Sequence, residues 1–110
     1  MRDLKTLLST DVVGGTIRVI RTGPVVTVSI YSLQLIEYGG SLDTVVTLPS
    51  GFRPPLTMND NITGPDSSAQ IIFSYNGDIG MNRKSEYSVR RVTTFLTTDA
   101  WPTSLPGESV

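Results

Sequence analysis

Neither histidine nor cysteine occurs in this chain of 110 residues. Their absence removes at one stroke the zinc sites built from those ligands, the Ser-His and Cys-His nucleophile pairs, disulfides and thiol redox motifs. Charge is scarce as well: 17% of the residues are Asp, Glu, Lys or Arg, and the formal net charge is -1. No field of one sign draws the chain to nucleic acid, and its basic runs stop at the pairs Arg83-Lys84 and Arg90-Arg91. Long apolar runs are lacking too. Nothing approaches the ~20 apolar residues of a membrane span, and Met1 to Leu8 is too charged, with too short an apolar stretch, for a signal peptide. The expectation is a soluble chain made in a cytoplasm, with no nucleic acid, membrane, metal or cofactor as partner.

What the chain does have is alternation and punctuation. Its length suits one domain, burying roughly two-thirds of the surface the unfolded chain exposes. Residues 1 to 13 space Leu4, Leu7 and Leu8 as a short helix would, or form an extended arm. Gly14-Gly15 breaks the chain before Thr16 to Arg21, where Ile17 and Val19 share one face and Arg18 and Ile20 the other. Thr22-Gly23-Pro24 reads as a turn into Val25 to Ile36, with Val26, Val28 and Ile30 opposite Thr27, Ser29 and Tyr31. The two segments predict a hairpin. Leu42 to Leu48 alternates again, and the three prolines of Leu48-Pro49-Ser50-Gly51-Phe52-Arg53-Pro54-Pro55 force an ordered corner or loop.

After that corner, Leu56-Thr57-Met58 is a short strand candidate inside a long polar connection reaching Ser68. Ala69 to Tyr75 and Asp78 to Asn82 flank Asn76-Gly77, a hairpin signal whose expected turn is type I′, with positive φ at both central residues. Val89 to Thr98 is the last strand, with Val92 and Leu96 on one side and Phe95 on the other. The tail from Asp99 holds Trp101 and two prolines and is no central strand. Six to eight β segments without a long helix predict an all-β fold, an antiparallel β-sandwich or jelly roll over residues 14–110 with residues 1–13 as a short N-terminal arm or helix.

Chemistry is harder to place. The ten acidic residues show no spacing that sets two together as a glycosidase requires, and the plain reading is that they cap turns. Asn59-Asp60-Asn61 with Asp66 lacks the pattern of a calcium loop and reads as a polar connection. Asn61-Ile62-Thr63 matches a glycosylation sequon, a triplet too short to carry weight alone. Phe52 and Arg53 are candidates for a structural corner, the guanidinium locking it through carbonyls or a carboxylate. Trp101 offers a stacking platform for a sugar ring or a plug that pins the terminus, the plug being preferred. Tyr31, Tyr38, Tyr75 and Tyr87 are the other aromatics on which a saccharide could stack. With Trp101, the first three form the candidate ligand-binding set.

The pieces Thr16-Ile17-Arg18-Val19, Gly23-Pro24-Val25-Val26-Thr27-Val28, Leu48 to Pro55, Asn76-Gly77-Asp78-Ile79 and Phe95 to Gly107, in that order, resemble the C-terminal β-rich head domains of tailed-phage minor tail and fibre proteins, above all those of phages infecting actinobacteria. The similarity runs from about residue 14 onward, and its most specific parts are the corner and the Trp101-Pro102-Thr103-Ser104-Leu105-Pro106-Gly107 terminus. The resemblance implies a non-enzymatic β-sandwich, commonly a homotrimer, that works on the virion with other virion proteins and engages host cell-surface glycan. Its shared motifs define corners and hairpins and deliver no binding residues. Fibre proteins usually carry a long upstream shaft, whereas this sequence runs from Met1 to residue 110, so it is either a piece of a longer fibre or a small separate protein that uses the same module elsewhere, as a capsid decoration or head spike that binds the shell. Ile20, Val45, Ile72 and Phe95 fall on faces expected to point away from the local core. A trimer would bury them, or both faces of some strands are internal to the sandwich.

Overall fold

The computed structural model describes residues 1–9, 12–35, 43–60, 69–83, 89–103 and 105–109. Tyr38, Tyr87, the break before Leu42 and most of the polar loop after Asp60 lie outside them. Among the described residues there are nine strands: β1 (Arg2–Asp3), β2 (Val12–Thr22), β3 (Val25–Leu35), β4 (Asp43–Thr47), β5 (Met58–Asn59), β6 (Ala69–Phe73), β7 (Asp78–Arg83), β8 (Val89–Leu96) and β9 (Glu108–Ser109). They form two antiparallel sheets, ordered β8-β3-β2-β1-β9 and β4-β7-β6-β5. The expected antiparallel β-sandwich is what forms. Its pairs nest, β3 with β8, β4 with β7 and β5 with β6, as in one long hairpin folded back on itself.

The core lies between the sheets, and the period of two decides who enters it. Ile17 and Val19 of β2 and Val26, Val28 and Ile30 of β3 face inward against Val46, Ile71, Phe73, Ile79 and Met81 of the other sheet, all fully or almost fully buried. Each such side chain contributes about 1.5–3 kcal/mol. Phe73 and Phe95 meet across the layers with ring centroids 6.4 Å apart and tilted by 56°.

Four expectations need correction. Val45 and Phe95 do not face outward: both are core residues, 0% and 7% exposed. For Val45 the cause is a bulge, since the β4–β7 register shifts between Thr44 and Val46, and the extra residue lets consecutive valines both point inward. Gly14-Gly15 does not break the chain either. β2 runs through it, and the irregularity is taken up by register shifts against β3. The turn after β6 is not type I′. Gly77 donates to the Ser74 carbonyl at 2.9 Å and Ser74 to the Asp78 carbonyl at 2.8 Å, with positive φ at Gly77 (102°) and not at Asn76. That is a three-residue loop closed by a glycine bulge, and glycine is required because a Cβ there would overlap the Leu48 carbonyl oxygen.

At the N-terminus the two expected forms occur in succession. β1 pairs with β2 and with β9, and a single 3-10 turn at Lys5–Leu7 follows. Leu4 between them is fully buried and donates its N–H to the Ile17 carbonyl at 2.9 Å, so the arm is part of the body.

Candidate functional site

One end of the sandwich collects the corner after β4, the β2–β3 turn, the β6–β7 turn and the tail after β8. The prolines keep the corner out of any ladder, and Phe52, 2% exposed, anchors it in the core while its N–H bonds the Pro49 carbonyl at 3.1 Å. Gly51 takes φ 103°, and a Cβ there would press into the Pro102 ring at 2.8 Å. The corner and the tail therefore touch through a position that tolerates no side chain.

Two charged groups knit this end together. The Asp99 carboxylate accepts from Arg53 through Nε at 3.0 Å and through a terminal nitrogen at 3.1 Å, and from the backbone N–H groups of Gly51 at 2.9 Å and Arg53 at 3.2 Å. The guanidinium hydrogen bonds hold this carboxyl below the usual carboxylate range, with the two backbone donors assisting against partial burial. Arg53 also presents its carbonyl to Thr97 Oγ1 at 2.7 Å, and the β6–β7 turn adjoins, since Leu48 donates to the Gly77 carbonyl at 2.8 Å. Arg21, at the end of β2, donates to the carbonyls of Gly23 (2.7 Å), Gly51 (2.7 Å), Ala100 (3.1 Å) and Asp99 (3.0 Å). Its guanidinium carbon lies 5.0 Å from the centroid of the Trp101 ring.

Trp101 is thus not the plug preferred from sequence. It stands 58% exposed, and Arg21, held by four carbonyls, supports the indole on one face. Open depressions flank it. One, about 390 Å³, lies between Trp101 and the strip Pro49, Ser50, Ala100 and Pro102. The other, about 140 Å³, is walled by Met1, Ile20, Phe52, Trp101 and Leu105. Arg2 holds the far wall by donating to the carbonyls of Pro106 at 2.8 Å and Gly107 at 3.0 Å.

The remaining candidates distribute unevenly. Tyr75 is 67% exposed on the β6–β7 turn, at the same end as Trp101, and its N–H reaches Thr57 Oγ1 at 3.4 Å. Tyr31, 59% exposed, sits apart on the outer face of the five-stranded sheet, with the Arg90 guanidinium 4.7 Å above its ring. It borders a broad depression of about 490 Å³ with Thr16, Arg18 and Ser29. Asp60, from the acidic cluster, is committed to the protein: Arg91 bonds it at 2.7 and 2.9 Å and Thr93 Oγ1 donates to it. Burial pushes its carboxyl up, but those hydrogen bonds and the nearby Arg91 charge outweigh burial and leave it below the usual range.

Sequence reasoning missed Arg21 and Asp99. Their hydrogen-bond partners lie as far as 79 and 78 residues away, so no local pattern marks them. The one available signal was position: Arg21 ends the strand before Gly23-Pro24, and Asp99 begins the tail that contains Trp101. Among the described residues no helix is long and apolar enough to cross a membrane. Comparison of the chain with protein-family models, with characterised proteins and with solved structures finds no match.

Proposed function

We propose that this chain is a non-enzymatic virion protein of a tailed phage whose Trp101 end binds saccharide on the host surface. The observation that carries the reading is the supported, exposed indole between two shallow depressions. An aromatic ring fixed in place and backed by a guanidinium offers its free face for stacking at little entropic cost, as a sugar ring requires. Two hydroxyl-bearing residues, Ser50 and Thr103, line the larger depression beside it. Two further features agree with a binding rather than a cleaving role. Asp60 and Asp99 are each neutralised by an arginine and held below the ordinary range, whereas a glycosidase needs one carboxyl raised enough to donate a proton. The virion assignment rests on the resemblance of the ordered corner and tail motifs.

The test is retention of the purified chain on a glycan array and on bacterial envelopes, beside retention on purified capsids. The reading expects binding to glycan and envelopes that falls about tenfold in Trp101→Ala, the loss of one stacking contact of about 1.5 kcal/mol, while Tyr31→Ala binds as the parent does. Binding to capsids alone would replace it with the shell-decoration reading, and a Trp101→Ala variant that binds glycan unchanged would remove the site.

A further inference from the structure

Sheet edges expose unpaired amides and carbonyls, and proteins blunt them by keeping them short, bulged or charged. Three of the four edges here follow that rule: β5 and β9 are two residues each, and β4 is five residues interrupted by its bulge. The fourth, β8, is eight residues long and runs in unbroken register against β3 from Arg91 to Leu96. No strand among the described residues pairs with its other side.

Which groups it leaves open follows from one bond. Thr97 donates to the Pro24 carbonyl at 2.8 Å, so in the alternation of an antiparallel ladder the bonded pairs are 24/97, 26/95, 28/93 and 30/91. The amides and carbonyls of Val92, Thr94 and Leu96 therefore point away from β3. Their side chains also stand on the outer face, with Val92 and Leu96 exposed by 64% and 63%. The charges that would guard this edge are turned elsewhere, Arg90 over Tyr31 and Arg91 onto Asp60.

We infer that β8 pairs antiparallel with β8 of a second copy of this chain, joining two five-stranded sheets across a two-fold axis at Thr94. A second copy is the occupant because the strand is its own complement in this register: Val92 lies opposite Leu96 of the other copy, twice, and Thr94 opposite Thr94. Strand length selects the register: centred on Val92, Leu96 would fall past the start of the other copy's β8 and lose its apolar counterpart. Pairing over residues 90–98 with the outer-face side chains covers on the order of 1,000 Å² in total, the lower limit for a specific dimer. The inference is independent of what Trp101 binds.

The absence of native cysteine makes the test clean. Sedimentation of the whole chain should give a dimer, and Leu96→Lys, a charge placed on the exposed outer face, should give a monomer that still unfolds in one cooperative transition. Single-cysteine variants then read the register. In Thr94→Cys the two Cα atoms would lie about 5.5 Å apart, within disulfide reach, so oxidation should yield covalent dimers, while Thr44→Cys on the bulged β4 edge should not. A monomeric or trimeric parent, or Thr44→Cys crosslinking as readily as Thr94→Cys, would overturn the pairing. A trimer would favour instead the threefold assembly implied by the family resemblance.

Discussion

Removing the Asp99 carboxylate tests the reasoning about the corner most directly. In Asp99→Ala the backbone N–H groups of Gly51 and Arg53 lose their acceptor, and the Arg53 guanidinium loses both of its bonds to the carboxylate, keeping only a long one to Ser50 Oγ at 3.5 Å. The ion pair is discounted because the Arg53 side chain is 37% exposed and screened by solvent. The two backbone bonds to a carboxylate that is only 14% exposed remain. At ~1.5–3 kcal/mol each, reduced for partial solvation, they sum to about 3 kcal/mol. For a domain of this size that lowers the thermal midpoint by about 12 °C. Asp99→Asn retains one oxygen acceptor and should fall between the variant and the parent.

The pH dependence supplies a second reading of the same group. Because the folded Asp99 carboxyl is held below its unfolded value of ~3.9, its contribution is fully present above that value. As pH falls, the unfolded chain takes up the proton first, so stability drops and the contribution is gone once pH passes below the folded value. Urea denaturation of the parent from pH 7 down to pH 2 should show this acid limb, and Asp99→Asn should flatten it, leaving the slope that Asp60 contributes in the same direction. Thermal midpoints of Asp99→Ala and parent within 2 °C at pH 7, or identical acid limbs for Asp99→Asn and parent, would refute the claim that this carboxylate locks the corner.

Two further outcomes follow from the fold. Gly77→Ala forces a Cβ onto the Leu48 carbonyl at positive φ and should cost more than about 2 kcal/mol by urea titration. Gly80→Ala, with no neighbour within 4 Å, should be neutral or slightly stabilising. Phe95→Ala should cost about 3–5 kcal/mol by urea titration, because it empties a core position against Phe73.

These contrasts separate what alternation can and cannot reveal. Regular strands were legible: Val26, Val28 and Ile30 alternate with Thr27, Ser29 and Tyr31, and the period of two places the first three in the core. Phe95 and Val92 were correctly put on opposite faces of β8, but which face is inside depends on where the second sheet lies. Val45 escaped because a bulge resets the period without a local signature. Trp101 was recognisable as a residue of consequence. Its exposure was not, nor was its support by Arg21, which reaches it from a strand end 80 positions earlier.

Composition and periodicity by themselves determined that this chain makes antiparallel sheets joined by proline and glycine turns, and that no histidine or thiol chemistry operates in it. Those properties are local or additive, so they can be read one residue at a time. Tertiary structure alone decided that Asp99 and Arg21 bind the corner to the tail, that the indole faces solvent, and that β8 is a long edge with no strand among the described residues on its far side. Each depends on bringing together segments tens of residues apart, and the energies that do so, buried area and charge-assisted hydrogen bonds, act through space and leave no trace in neighbouring sequence.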